Sequence, residues 1–281
     1  MTGLLPRFGF YTARDGRRLA MRIWNSVEPP RAHVVFLHGV ASHGGWYTRS
    51  CHYLSQARFE VHFLDRRGSG VNIEARGDVD RCETWIDDVA TYLEQIGQGR
   101  PVVLCGISWG GRLAAAVARK HPGLIGGLAL LCPGLYSHFE PGAIQKLVLA
   151  SPLPLRVQSR YVRIPLRHPA LFTDVPRWRD HVASDPLTLR EVTIRFARAD
   201  RRLNNLARGS APFIHAPTLL VLGGRDRIVA NRATRDFLSR TAATHKTVIE
   251  YENGGHTLEF EADPSRYFSD LADWIGRTIA S

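Results

Sequence analysis

Ser108, Asp226 and His256 are of the three types that can together carry out acyl transfer. A serine hydroxyl is a weak nucleophile until a base takes its proton. The base in turn needs a carboxylate to fix its tautomer and stabilise its cation. Ser108 stands in the pattern Gly106-x-Ser108-x-Gly110, with the apolar, β-branched run Pro101 to Cys105 before it and the Ala-rich segment Arg112 to Lys120 after it. The first reads as a buried parallel strand and the second as a helix. A serine at a sharp strand-to-helix turn has its hydroxyl lifted above the sheet edge, and a β-carbon at either glycine would crowd that turn. The helix N-terminus adds a field that favours anionic intermediates.

Partners for the serine lie in two later loops. Gly223-Gly224-Arg225-Asp226-Arg227-Ile228-Val229 follows the strand-like Pro217 to Leu222, and Asn253-Gly254-Gly255-His256 follows the strand-like Thr247 to Tyr251. Alone, Asp226 reads equally as a helix cap or a loop ion pair with Arg225 or Arg227, and His256 as a solvated loop histidine. Their order along the chain, Ser then Asp then His, each just past its own strand, selects the triad instead. Of the 12 histidines, His256 has this setting. The His, Cys and acidic residues show no ligand spacing, so neither a metal nor a cofactor is expected.

Those residues need a sheet to hold them. Phe8 to Ala13 and Arg18 to Trp24 flank a turn and read as a hairpin; His33 to Leu37, Glu60 to Leu64, Leu124 to Leu131 and the two late runs read as further strands. Helical periods fall at Ser50 to Gln56, Arg81 to Ile96, Arg232 to Arg240 and Pro264 to Ile279. Strands alternating with helices predict an α/β fold with a mostly parallel central sheet flanked by helices. The rhythm breaks after Gly134, and residues 135–210 lack a buried-strand run. The division expected is a core of residues 1–134 and 211–281 with a helical cap, 135–210, inserted late in the sheet over the strand ends where ligands bind.

At 281 residues the chain can bury one large core without disulfide staples. Cys51, Cys82, Cys105 and Cys132 are scattered without C-x-x-C spacing and read as reduced thiols. With no signal-type apolar run near the N-terminus, that favours a cytoplasmic protein. The net charge of +11 is concentrated late: Ser151 to Ser210 holds 12 arginines against five acids. Arg156, Arg160, Arg163 and Arg167 recur every three or four residues. A helix running up to Pro165 would gather them on one face, suited to an anionic substrate or an anionic lipid surface. No nucleic-acid-binding signature accompanies the charge, so nucleic acid is not an expected partner.

The motifs together resemble the α/β-hydrolase fold, and within it the monoacylglycerol lipase-like, "hydrolase 4" family. H-G-x-x-x-H-x-x-x-Y matches His38, Gly39, His43 and Tyr47; D-x-R-G-x-G matches Asp65, Arg67, Gly68 and Gly70; and G-x-S-x-G-G runs through Gly111. G-x-x-D-x-I-V matches Gly223, Asp226, Ile228 and Val229, and an acid five residues past the histidine matches Glu261. The resemblance implies an oxyanion hole at the Val40 and Trp109 amides, and a substrate-binding loop with His38, Gly39 and His43. It implies a serine esterase or lipase acting on a small acyl ester, with no cofactor. The chain departs from the family's pattern at Ser42, Trp46 and Val71, which bears on the substrate. The same triad would serve a thioesterase, an acyltransferase or a peptidase, and a non-catalytic hydrolase-fold binding protein is the alternative of a different class.

Overall fold

A computed structural model describes residues 5–97, 99–140 and 142–280; the first four residues, on which the reading of the N-terminus partly draws, lie outside them. Its strands are β1 (Arg7–Thr12), β2 (Arg18–Trp24), β3 (Ala32–Leu37), β4 (Phe59–Leu64), β5 (Val102–Ile107), β6 (Gly127–Leu131), β7 (Tyr161–Arg163), β8 (Glu191–Thr193), β9 (Thr218–Gly223) and β10 (Lys246–Tyr251). Its helices are α1 (Thr48–Gln56), α2 (Cys82–Ile96), α3 (Trp109–Lys120), α4 (Ala143–Ala150), α5 (Leu155–Gln158), α6 (Pro176–Ser184), α7 (Ile194–Arg208), α8 (Asn231–Ser239) and α9 (Ser265–Thr278).

Eight strands form one sheet in the order β1-β2-β4-β3-β5-β6-β9-β10. The hairpin strand β2 pairs antiparallel with β1 and with β4, and every other pairing is parallel. Strand residues alternate between two apolar layers, as the two-residue period of a strand requires. Val35, Leu37, Leu104 and Leu130 pack under α2 and α3, while Val34, Phe36, Cys105 and Leu219 pack under α1 and α9. Both faces are covered, which is why the central strands read as continuous apolar runs. The four cysteines are free and buried in these layers. From β3 the chain steps one way to β4 and then back across to β5 on the other side. The order therefore reverses between β3 and β5, and a crevice opens at their carboxyl ends, the place where open α/β sheets bind ligands.

Between β6 and β9 the chain leaves the sheet and builds α4 to α7 with a small ribbon of β7 paired antiparallel to β8. Helix α7 lies across α2 and α3, which ties this segment to the layer behind the crevice. The expected arginine helix does not form. Arg156 sits on the four-residue α5, Arg160 in the turn after it, and Arg163 in β7, so the four arginines do not share a helical face. The physical reason is the ribbon: Tyr161 and Val162 pair with Thr193 and Val192, and β-branched residues on both sides favour that extended pairing over a helical continuation. Among the described residues no helix is long and apolar enough to cross a membrane.

Candidate active site

Ser108 is the single residue between β5 and α3, with φ 51° and ψ −118°. A non-glycine residue in that region costs about 1–3 kcal/mol and persists only when its surroundings over-determine it. Here they do. The Ser108 amide donates to Leu131 O at 3.0 Å, and its carbonyl accepts from Gly111 N at 2.9 Å and Gly134 N at 2.7 Å. A β-carbon on Gly106 would lie 2.6 Å from the Gly110 carbonyl oxygen, and one on Gly110 would run into the carbonyl oxygen of Leu37. The two glycines thus let β5, β3 and the first turn of α3 close around the serine.

His256, after β10, brings Nε2 to 2.9 Å from Ser108 Oγ and Nδ1 to 2.8 Å from Asp226 Oδ2. The second oxygen of Asp226 accepts from the amides of Ile228 at 2.7 Å and Val229 at 2.9 Å. Burial alone would raise the Asp226 carboxyl; the facing imidazole and the two amides outweigh it and hold the group below its ordinary range. With an ionised Asp226, the proton of the neutral imidazole belongs on Nδ1, and Nε2 presents a lone pair to the serine hydroxyl. Glu261 Oε1 accepts from Gly255 N at 2.7 Å and braces the turn that carries the histidine.

The loop after β3 crosses in front of the serine: a β-carbon on Gly39 would be 3.3 Å from Ser108 Cβ. Its shape is fixed by the buried side chain of His38. His38 Nδ1 lies 2.7 Å from Gly39 O and its Nε2 accepts from Arg66 N at 2.9 Å. Burial, with Arg66 beside it, pushes His38 down to about 3, so the ring is neutral and its Nδ1–H donates to Gly39 O. In a trans peptide the carbonyl and the following N–H point in opposite directions, so gripping Gly39 O aims the Val40 N–H. Trp109 N–H is a first-turn amide of α3, without an acceptor inside the helix.

Val40, Ser108 and Trp109 open onto a cavity of about 330 Å³. Gly134 and Ile228 come from the sheet side, and Phe139, Leu149, Val162, Ile164, Val192, Phe196 and Asn204 from the inserted segment. His38, Gly39 and His43 do not line it. His43 instead caps the turn at Gly44–Tyr47, accepting from Gly45 N, and its Nε2 meets Asp185 Oδ2 at 2.7 Å.

Several residues at the site carry no sequence signal because their partners are far along the chain. Asp185 also accepts from Trp46 Nε1 at 2.6 Å, which straps the insertion to the loop after β3. Burial would raise its carboxyl, but the bonds from His43, Trp46 and the Leu187 amide hold it far below the usual range. Asp200, on α7, accepts from Trp109 Nε1 at 2.6 Å and pairs with Arg112 at 2.9 Å. Arg66 is buried, with its guanidinium 4.4 Å over the Trp109 ring and Nη2 donating to Val40 O at 3.0 Å. Burial pushes it down to about 9.

This geometry agrees with what the chain resembles among known proteins. Human monoglyceride lipase is 25% identical over 274 residues, spanning 95% of this chain and 89% of that protein. The crystal structure of Paleococcus ferrophilus monoacylglycerol lipase superposes with a TM-score of 0.83 at 23% identity, over 93% of this chain and 100% of that one. A soluble variant of the Saccharomyces cerevisiae monoglyceride lipase, solved in complex with a substrate analog, gives 0.86 at 18% identity over 99% and 97%. Residues 28–263 match the Hydrolase_4 family, described as serine aminopeptidase. The chain belongs to that family of serine hydrolases and has the α/β-hydrolase fold.

Proposed function

We propose that the protein hydrolyses small acyl esters of the monoacylglycerol or lysophospholipid kind through a Ser108-His256-Asp226 triad. The observation that carries this reading is the unbroken hydrogen-bonded line from Asp226 through His256 to Ser108 Oγ, opening onto a cavity lined by Phe139, Leu149, Val162, Ile164, Val192 and Phe196. Ser108 Oγ attacks the ester carbonyl as His256 Nε2 takes its proton, and Asp226 stabilises the imidazolium. The carbonyl oxygen becomes an alkoxide facing the amides of Val40 and Trp109. Such donors are commonly worth about 10²–10³-fold each. His256 then gives the proton to the leaving alcohol, and a water activated by the same imidazole releases the acid from the acyl-enzyme. His38 and Arg66 act as positioning residues by holding the Val40 peptide, and His43 acts through Asp185 by holding the insertion against it.

An ester fits better than an N-terminal peptide amine. A free ammonium group would call for an unpaired carboxylate, yet the two acids on the cavity wall are engaged, Asp200 by Arg112 and Glu140 by Arg208. The cavity arginines are largely neutralised in the same way, with Arg163 beside Glu191; Arg201 has no ion-pair partner among the described residues. Any preference for an anionic head group therefore rests on Arg201 and not on an arginine-lined helix. A panel of p-nitrophenyl esters, monoacylglycerols, acyl thioesters and aminoacyl amides, compared by kcat/KM, tests the reading. Medium-chain esters should lead; turnover of aminoacyl amides above all esters would overturn it.

A further inference from the structure

At the other end of β3 and β4, on the edge of the sheet away from Ser108, a second cluster of reactive side chains serves no part of the mechanism above. In the parallel register His33 lies opposite Glu60 and Val35 opposite His62, so His33, Glu60 and His62 project from the same face of the sheet. His33 Nδ1 is 3.1 Å from His62 Nε2, His62 Nε2 is 3.3 Å from Glu60 Oε1, and His33 Nδ1 is 3.9 Å from the same oxygen. We propose that these three residues bind one zinc ion.

The geometry matches that ion. With metal–ligand bonds of 2.0–2.1 Å, the edge of a zinc tetrahedron is about 3.3 Å, and the three separations bracket that value. Two imidazoles and one carboxylate suit a borderline divalent ion such as zinc, whereas magnesium and calcium take oxygen donors. The surroundings supply what a ligating histidine needs. Tyr92, on α2, places its hydroxyl 2.8 Å from His62 Nδ1. With Nε2 committed to the ion, the ring proton sits on Nδ1 and is donated to the Tyr92 oxygen, which fixes the tautomer and the ring plane. Both histidines are buried and Glu60 is half-buried, so the fourth position faces solvent and takes a water. An ion held there would clamp β3, β4 and α2 together at the end of the sheet that the triad does not use.

The test is a titration of the untagged, chelator-treated full chain with zinc alone, followed by calorimetry and by thermal unfolding. One ion per chain and a rise in Tm of several degrees are expected, with no response to magnesium. Glu60→Gln keeps size and fold and should weaken zinc binding at least about tenfold; His33→Gln should do the same, and His245→Gln, an exposed histidine elsewhere, should not. A parent chain that binds no zinc would overturn the proposal and leave a hydrogen-bonded cluster only. So would Glu60→Gln binding zinc as the parent does, and that variant decides the matter alone if His33→Gln fails to fold.

Discussion

The carboxyl edge of the sheet and the segment inserted between β6 and β9 face each other across the cavity, and they are built on different rules. On the sheet side each member of the proposed triad sits at or just past a strand end: Ser108 directly after β5, Asp226 three residues after β9, His256 five residues after β10. Their relative positions follow from parallel register and from glycines that let backbones close up. On the inserted side the important contacts join residues distant in sequence, such as Asp185 with His43 and Trp46, or Asp200 with Trp109 and Arg112. On the proposed mechanism, the strands would set the reaction and the strapping of the insertion would set the fit of the substrate.

If that division holds, changes on the sheet side should abolish turnover and changes on the inserted side should redistribute it. The largest effect belongs to Ser108→Ala, which should lower kcat by about 10⁶-fold in steady-state ester assays without altering Tm by much. Asp226→Asn comes next, at about 10⁴-fold in kcat, because an amide facing Nδ1 no longer holds the imidazole in the required tautomer. His38→Ala should cost roughly 10–100-fold in kcat with KM little changed, since the Val40 N–H is needed for the alkoxide more than for the bound ester. A loss confined to KM would remove His38 from the oxyanion loop and break the assignment.

Two smaller effects are expected. Glu259 is buried, and burial, offset in part by Ser50 and the amides of Ser50 and Arg49, pushes it up to about 7. An unfolded glutamate ionises near pH 4.3, at about its model-peptide value, so between there and about pH 7 the native chain holds the extra proton. Stability then falls as pH rises through that window. Glu259→Gln keeps the acceptor for the two amides, so its Tm should fall less than the parent's between pH 5 and pH 8; parallel profiles would show that Glu259 does not titrate there. The smallest effect belongs to Arg201→Gln on the inserted side. For an anionic ester, kcat/KM should drop a few-fold at low salt, while a neutral ester of equal chain length should not respond. Equal responses would take the charge of the insertion out of substrate selection.

Most of the sheet side was legible in the sequence, because apolar runs, glycine turns and the order of Ser, Asp and His are all local signals. The hairpin, the parallel strands and the flanking helices lie within a few residues of their sequence-based limits. The internal pairing of the inserted side was not legible. A three- or four-residue arginine spacing suggests a helix, but the pairing of Tyr161 to Arg163 with Glu191 to Thr193 is settled by tertiary contact, not by local period. The His33, Glu60 and His62 cluster was hidden for a related reason: its spacing exists only in the register of β3 against β4. A search for ligand spacing along the chain passes over it.

On the proposed mechanism Ser108 itself carries the acyl group. The direct measurement is the intact mass of the protein quenched in acid during turnover of a p-nitrophenyl ester, followed by peptide mapping. One acyl adduct per chain on the peptide containing Ser108, absent from Ser108→Ala, is the expected result. An adduct on another residue, or release of p-nitrophenol by Ser108→Ala at the parent's rate, would contradict it.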